Sequence, residues 1–165
     1  MTDLSLVDME LAVVTYFNMR RHVIVPNVSY GLGLHECDLL VAQPNGYAIE
    51  VEIKRSRFDL LADAKKPHSH ESDKIRKLYF AMPVSMYEKC KDDVPKRAGI
   101  IVVDRSKSGA PRASRMREPE VNAKARKLTD AELFKLTKLG VMRIWALKRK
   151  VQALSDKLKA VAARD

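Results

Sequence analysis

Apolar residues recur at positions 4, 7, 11, 14 and 17. Steps of three and four residues put them on one helical face, so residues 4–20 are expected to form an amphipathic helix. The period changes at His22. Residues 22–30 are rich in β-formers, and Pro26, with no N–H to give to a ladder, marks that strand as an edge or a bulge. Residues 36–42 and 47–54 alternate with period two and are separated by Gln43-Pro44-Asn45-Gly46, a strong hairpin signal. Residues 57–65 read as a helix, and the stretch from there to 76 is polar and without a period. Residues 77–82 read as a strand ended by Pro83, 85–93 as a short helix and 99–103 as a buried strand. The predicted order is helix, three strands, helix, strand, helix, strand, an α/β core over residues 1–104. Residues 105–128 carry eight Lys/Arg and no sustained pattern, which reads as a basic linker or arm. Thr129-Asp130-Ala131-Glu132 is a capping-box sequence that opens a C-terminal helical extension over 129–165. Gly140 is expected to interrupt that helix, and from Ile144 an apolar seam runs through 147, 151, 154, 158 and 161.

The hairpin fixes which side chains share a face. Pro44 and Asn45 at the centre of a type I turn, followed by Gly46 in the left-handed region, give a three-residue loop. Gln43 then pairs with Tyr47, Leu40 with Glu50, Asp38 with Glu52 and Glu36 with Lys54. Side chains alternate across a strand, so these positions share one face. The opposite face holds Cys37, Leu39, Val41, Ile49, Val51 and Ile53, all apolar, and is expected to be core. A two-residue Asn-Gly turn would move Asp38 onto that apolar face, and the composition of the two faces selects the longer loop.

Composition adds compartment and charge. The chain of 165 residues is 46% hydrophobic and 32% charged, with no apolar run near the ~20 residues that span a bilayer. The first residues lack the basic-then-apolar layout of a secretory signal. Cys37 and Cys90 lack metal-ligand spacing, and Cys37 falls in an apolar register as a buried thiol. A reducing, cytoplasmic setting is the expectation. The net charge of +10 is unevenly spread: residues 1–54 hold 3 Lys/Arg against 7 Asp/Glu, and residues 111–165 hold 15 against 6. A basic third beside an acidic third fits a polyanion and a divalent cation. Well-solvated basic helices would give the same count.

Two readings fit the polar face of the hairpin. Glu36, Asp38, Glu50 and Glu52 repel one another unless a cation or proton joins them. Hard oxygen donors suit Mg²⁺ or Mn²⁺, which lower the pKa of bound water and offset charge on a phosphodiester. Lys54 would then position the water or stabilise developing negative charge. The other reading is an exposed face with Glu36–Lys54 as a weak cross-strand ion pair.

Asp38 on one strand, a short hairpin, and Glu52-Ile53-Lys54 on the next resemble the PD-(D/E)XK motif of the restriction-endonuclease-like nucleases. The αβββαβ order looks like that superfamily's mixed sheet flanked by helices, and the resemblance covers residues 4–104. It implies a metal-dependent endonuclease acting on DNA. In it Asp38 and Glu52 bind Mg²⁺ or Mn²⁺, the Ile53 carbonyl adds a ligand, and Lys54 serves the hydrolytic water. Glu10 looks like the acidic residue that the first helix often contributes. Cys37 stands where the name-giving proline would be. A catalytically inert nucleic-acid-binding or assembly module on the same fold is the rival reading, and a metal-dependent hydrolase of another substrate is a third.

Other residues gain roles from this frame. Glu50 is expected to support the metal or hold a lysine. Lys74 and Lys77 resemble the basic residues brought to the scissile phosphate, although both fit a surface equally well. Arg55 and Arg57 are candidates for backbone phosphates, as are Arg112, Arg115 and Arg117 of the basic arm. His68 and His70 fit a metal pair less well than an exposed loop. Trp145 and Tyr79 are expected in the core. The C-terminal seam is expected to pack on the domain or on a partner chain, including a second copy, and no membrane contact is expected.

Overall fold

The protein is described from a computed structural model, which covers residues 4–29, 31–63, 70 and 72–162. Its elements run α1 (Leu6–Tyr16), β1 (Val23–Val28), β2 (Cys37–Ala42), β3 (Ala48–Ile53), α2 (Arg57–Asp63), β4 (Ile75–Pro83), α3 (Val84–Cys90), β5 (Gly99–Arg105), β6 (Pro111–Arg117) and α4 (Asp130–Ala162). The six strands form one mixed sheet in chain order. β3, β4 and β5 are parallel neighbours, and β1, β2 and β6 join antiparallel. The expected order of elements over the first 104 residues is reproduced, and the protein is a mixed α/β fold with a C-terminal helix.

The sheet is covered on both faces, as parallel strands require. On one face Met9 and Val13 of α1 and its C-cap Phe17 pack against Leu39, Val41, Val51 and Ile53. Ser5 caps α1 in a box with Asp8, satisfying donors that a helix start leaves unpaired. Arg105 at the end of β5 reaches Asp8 at 2.9 Å and ties the start of α1 to the sheet. On the other face lie two clusters. Leu78, Phe80, Met82 and Ile100 pack with Leu60 and Cys90, while Val25, Leu40 and Ala48 pack with Leu136 of α4.

The hairpin turn has the expected geometry. Gln43 N–H donates to the Tyr47 carbonyl, Gly46 N–H donates to the Gln43 carbonyl, and Gly46 has φ +88°. Leu40 pairs with Glu50 and Ala42 with Ala48, the register expected. β1 is an edge strand, as Pro26 requires.

Three expectations about architecture are corrected. The segment 105–128 is not an unstructured arm: β6 lies within it and closes the far edge of the sheet. Beyond β6, Asn122 donates to the carbonyls of Ser72 and Ile75, and Leu128 N–H donates to the Gly46 carbonyl, so this stretch is laced to the core. Its strand escaped a periodicity reading because Pro111–Arg117 is mostly arginine and serine, with Ala113 and Met116 three residues apart rather than alternating, and Arg112, Ser114, Arg115 and Met116 are exposed. Second, α4 runs unbroken through Gly140. A Cβ at that position would lie 3.3 Å from Val25 Cγ2, so the glycine lets the helix approach β1. Third, Trp145 is 59% exposed rather than core, whereas Tyr79 is buried as expected. No helix among the described residues is long and apolar enough to cross a membrane.

Candidate functional site

The site begins where β2 leaves β3. Their ladder ends at Leu39 and Val51, while β2 stays paired with β1 as far as Cys37 and Val28. The divergence frees the Ile53 N–H from the β2 backbone, and the Asp38 carboxylate takes it at 2.7 Å. On the other side of β3, Lys54 N–H donates to the Ala81 carbonyl of β4. The end of β3 is thus pinned from both sides, and Asp38 and Glu52 are held together. The Asp38 N–H lies 3.4 Å from Glu52 Oε1. The same divergence moves Cys37 off the apolar face it was assigned: it packs with Val25, Val28, Leu32 and Leu40.

An open cleft of ≈ 380 Å³ lies at this divergence, lined by Leu6, Glu36, Asp38, Glu52, Ile53, Lys54, Arg55 and Asp59. Three strands of the sheet end near this level, because β3, β4 and β5 run parallel. Such strand ends are where open α/β sheets gather their functional groups. Glu10 faces the cleft electrostatically: burial and then the Asp38 carboxylate raise its pKa. Burial, followed by Asp38, also raises Glu52, although Lys54 pulls in the other direction.

The β3 side of the polar face, with Lys54 just beyond it, is buried, which excludes the exposed ion-pair reading. Glu50, Glu52 and Lys54 are 0%, 1% and 4% exposed. Lys54 does not pair with Glu36, which is exposed. Its Nζ lies 2.8 Å from Glu52 Oε2 and 2.9 Å from Asp63 Oδ1. Burial alone would lower the Lys54 pKa, but Glu52 and Asp63 outweigh it and keep the ammonium charged.

Glu50 is turned into a different set of contacts and does not line the cleft. Its Oε1 meets His35 Nε2 and His70 Nδ1, each at 2.7 Å. Burial would raise its pKa, but the two imidazoles outweigh burial and hold it below the ordinary range. His70 Nε2 lies 2.5 Å from Asp63 Oδ2, so Asp63 joins this network to Lys54. Sequence reasoning placed His70 in an exposed loop, yet it is 4% exposed. His68 lies outside the described residues. His35 and Asp63 were missed altogether: neither shares a sequence period with the hairpin, and only the return of α2 under the sheet brings Asp63 to Lys54.

The predicted phosphate contacts separate. Arg55 lines the cleft. Arg57 is exposed and pairs with Asp93 at 2.8 Å. Arg112 is exposed and lies opposite Asp104, at the sheet end where the cleft opens. Three of these side chains are turned away from the cleft. Lys74 is turned to α4, bonding the Leu32 carbonyl and lying 3.2 Å from Glu132. Lys77 stands opposite Ile49, and so on the α1 face of the sheet rather than the face of Glu50 and Glu52. Arg117 donates to the carbonyls of Ala98, Val94 and Pro95, a brace for the turn after α3. Arg115 pairs with Glu118 at 2.7 Å on the β6 edge.

No family model matches the chain, and no curated protein matches it in sequence. Among solved structures, the fold is similar to that of SPO1766, a protein of unknown function from Silicibacter pomeroyi. The TM-score is 0.58, with 22% identity and 90% of each chain covered. At that identity the likeness speaks to the fold alone.

Proposed function

We propose that the protein is a metal-dependent nuclease on a restriction-endonuclease-like core, hydrolysing DNA phosphodiester bonds at the cleft between β2 and β3. The observation that carries this reading is the convergence of Asp38, Glu52 and Lys54 at the point where β2 leaves β3, in a cleft rimmed by Arg55. Asp38 and Glu52 supply hard oxygen donors, the Ile53 carbonyl adds another, and Glu10 stands close by. That donor set fits Mg²⁺ or Mn²⁺, and burial first, then the neighbouring Asp38 carboxylate, raises the pKa of both Glu52 and Glu10. When bound, such an ion would neutralise this charge and lower the pKa of a water beside the scissile phosphate.

The remaining work falls to the chain. Asp38 is oriented by Ile53 N–H, so its other oxygen is directed by the backbone rather than free to rotate. Lys54 is held by Glu52 and Asp63, with its charge ready to stabilise a pentavalent phosphate. Arg55 rims the cleft, and Arg112 extends positive charge along the same sheet end for the phosphate backbone.

The test is incubation of the full chain with linear, supercoiled, branched and single-stranded DNA, with and without Mg²⁺ or Mn²⁺. Cleavage that needs the metal and is lost in Asp38→Asn and Glu52→Gln is expected. Wild-type protein that neither cuts any DNA form nor binds Mn²⁺ would leave a non-catalytic nucleic-acid-binding module as the better account.

A further inference from the structure

We infer that His35, Glu50 and His70 form a second cation site, for a borderline transition ion of the zinc class, separate from the Asp38–Glu52 cleft. One nitrogen of each histidine and one oxygen of Glu50 lie within 4.8 Å of one another. The three residues come from three places: the loop before β2, the middle of β3 and the segment after α2. Their convergence is therefore a product of the fold rather than of local sequence. Two imidazole nitrogens lie 2.7 Å from a single carboxylate oxygen, so little movement would bring all three atoms onto one small cation.

A second observation points to a ligand. Glu50 is fully buried, and its Oε2 has no hydrogen-bond partner among the described residues. An orphaned carboxylate oxygen in the interior costs the full desolvation of that atom unless something positive reaches it. Among the described residues, the Lys54 ammonium meets Glu52 and Asp63 but not Glu50, whose contacts are the two imidazoles.

The outer contacts are those a metal-bound histidine uses. With an ion bound, Asp63 Oδ2 would accept from His70 Nε2–H and leave Nδ1 to the ion; without one, Nδ1–H donates to Glu50. Two nitrogens and a carboxylate suit Zn²⁺ or Co²⁺ better than Mg²⁺, which prefers an all-oxygen shell. The overlapping trio Glu52, Asp63 and His70 is a poorer candidate, because Lys54 Nζ already bridges Glu52 and Asp63. Through Asp63, an ion at the new site would hold Lys54 in place, so its role is positioning rather than chemical.

The experiment uses the full chain, stripped with chelator and reloaded with Zn²⁺ or Co²⁺. X-ray absorption at the zinc edge should show two imidazole ligands at about 2.0 Å. The Co²⁺ form should show the intense visible bands of a four-coordinate site, displaced by Zn²⁺ and untouched by a large excess of Mg²⁺. Asp38→Asn should keep those bands, and His35→Gln should weaken Co²⁺ binding at least tenfold. A first shell without imidazole, only weak six-coordinate Co²⁺ bands, or bands lost in Asp38→Asn but kept in His35→Gln would each overturn the inference. None of these readouts depends on DNA cleavage, so the site can fail while the nuclease reading stands, and the converse.

Discussion

Lys54 carries a full charge at 4% exposure, and only Glu52 and Asp63 make that tolerable. Lys54→Ala would leave two buried carboxylates without their cation, and such broken pairs cost about 3–5 kcal/mol. Urea unfolding should register a loss of that order along with loss of cleavage, and a loss below 1 kcal/mol would show that solvent reaches the site. Asp38→Asn differs in kind. Its side-chain oxygen can still accept from Ile53 N–H, while the repulsion it exerts on Glu10 and Glu52 disappears. The variant should be inactive and at least as stable as wild type without metal. A lower melting temperature would mean that the carboxylate serves the fold rather than a cation.

At the scale of elements, α4 is two structures in one. Its first part belongs to the core: Leu136 is fully buried, Gly140 packs on Val25, and Arg143 donates to the Asn27 carbonyl at 2.7 Å. Its capping box is built by Thr129 and Glu132, and Glu132 also receives Arg126 and Lys74. The Arg126 hydrogen bond is the largest influence holding the Glu132 carboxyl below the ordinary range. A depressed carboxylate pKa adds stability above its unfolded value, about 4.3, and that stability fades as pH falls further. Glu132→Gln should therefore cost roughly 1 kcal/mol at pH 7. The deficit should shrink progressively below pH ~4, as parallel melts of the two proteins would show. From Ile144 onward the seam is solvent-facing, with Leu147 62% and Leu154 60% exposed. Truncation after Arg143 should spare the fold and lower the mass seen in sedimentation if the seam pairs copies. Truncation after Leu128 should unfold the cluster around Leu136. Arg143, Lys150 and Lys157 flank the seam, so self-association should strengthen with salt. Equal masses for the full and shortened chains at every salt would exclude self-pairing.

For the whole molecule, the charge gradient matters only where basic side chains are uncommitted. Arg112 is exposed at the sheet end of the cleft, while Arg117 is spent on backbone carbonyls. Arg112→Ala should flatten the dependence of DNA affinity on salt by about one unit in the log–log slope. Arg117→Ala should lower stability and leave the slope unchanged. Binding isotherms at four salt concentrations separate the two, and an unaltered slope for Arg112→Ala would place the DNA on another face.

The sequence by itself determined what alternation and turn chemistry can determine. Pro44-Asn45-Gly46 set the hairpin register, that register put Asp38 beside Glu52, and the apolar periods set the order of elements through β5, although α1 buries Met9, Ala12 and Val13 and leaves Val7 and Leu11 of the expected face exposed. These are local consequences of backbone stereochemistry and of hiding one face from water. What the tertiary structure alone decided is where partners come from. β2 leaves β3 at Asp38, so Glu36 and Cys37 depart from the pattern that an ideal hairpin would extend to them. Asp63 reaches Lys54 from α2, and His35 and His70 close on Glu50 from two loops. β6 announces itself through no period because its positions carry arginines and a serine where alternating apolar residues would stand. Buried charges choose partners by distance in space, and a chain read residue by residue has no such coordinate.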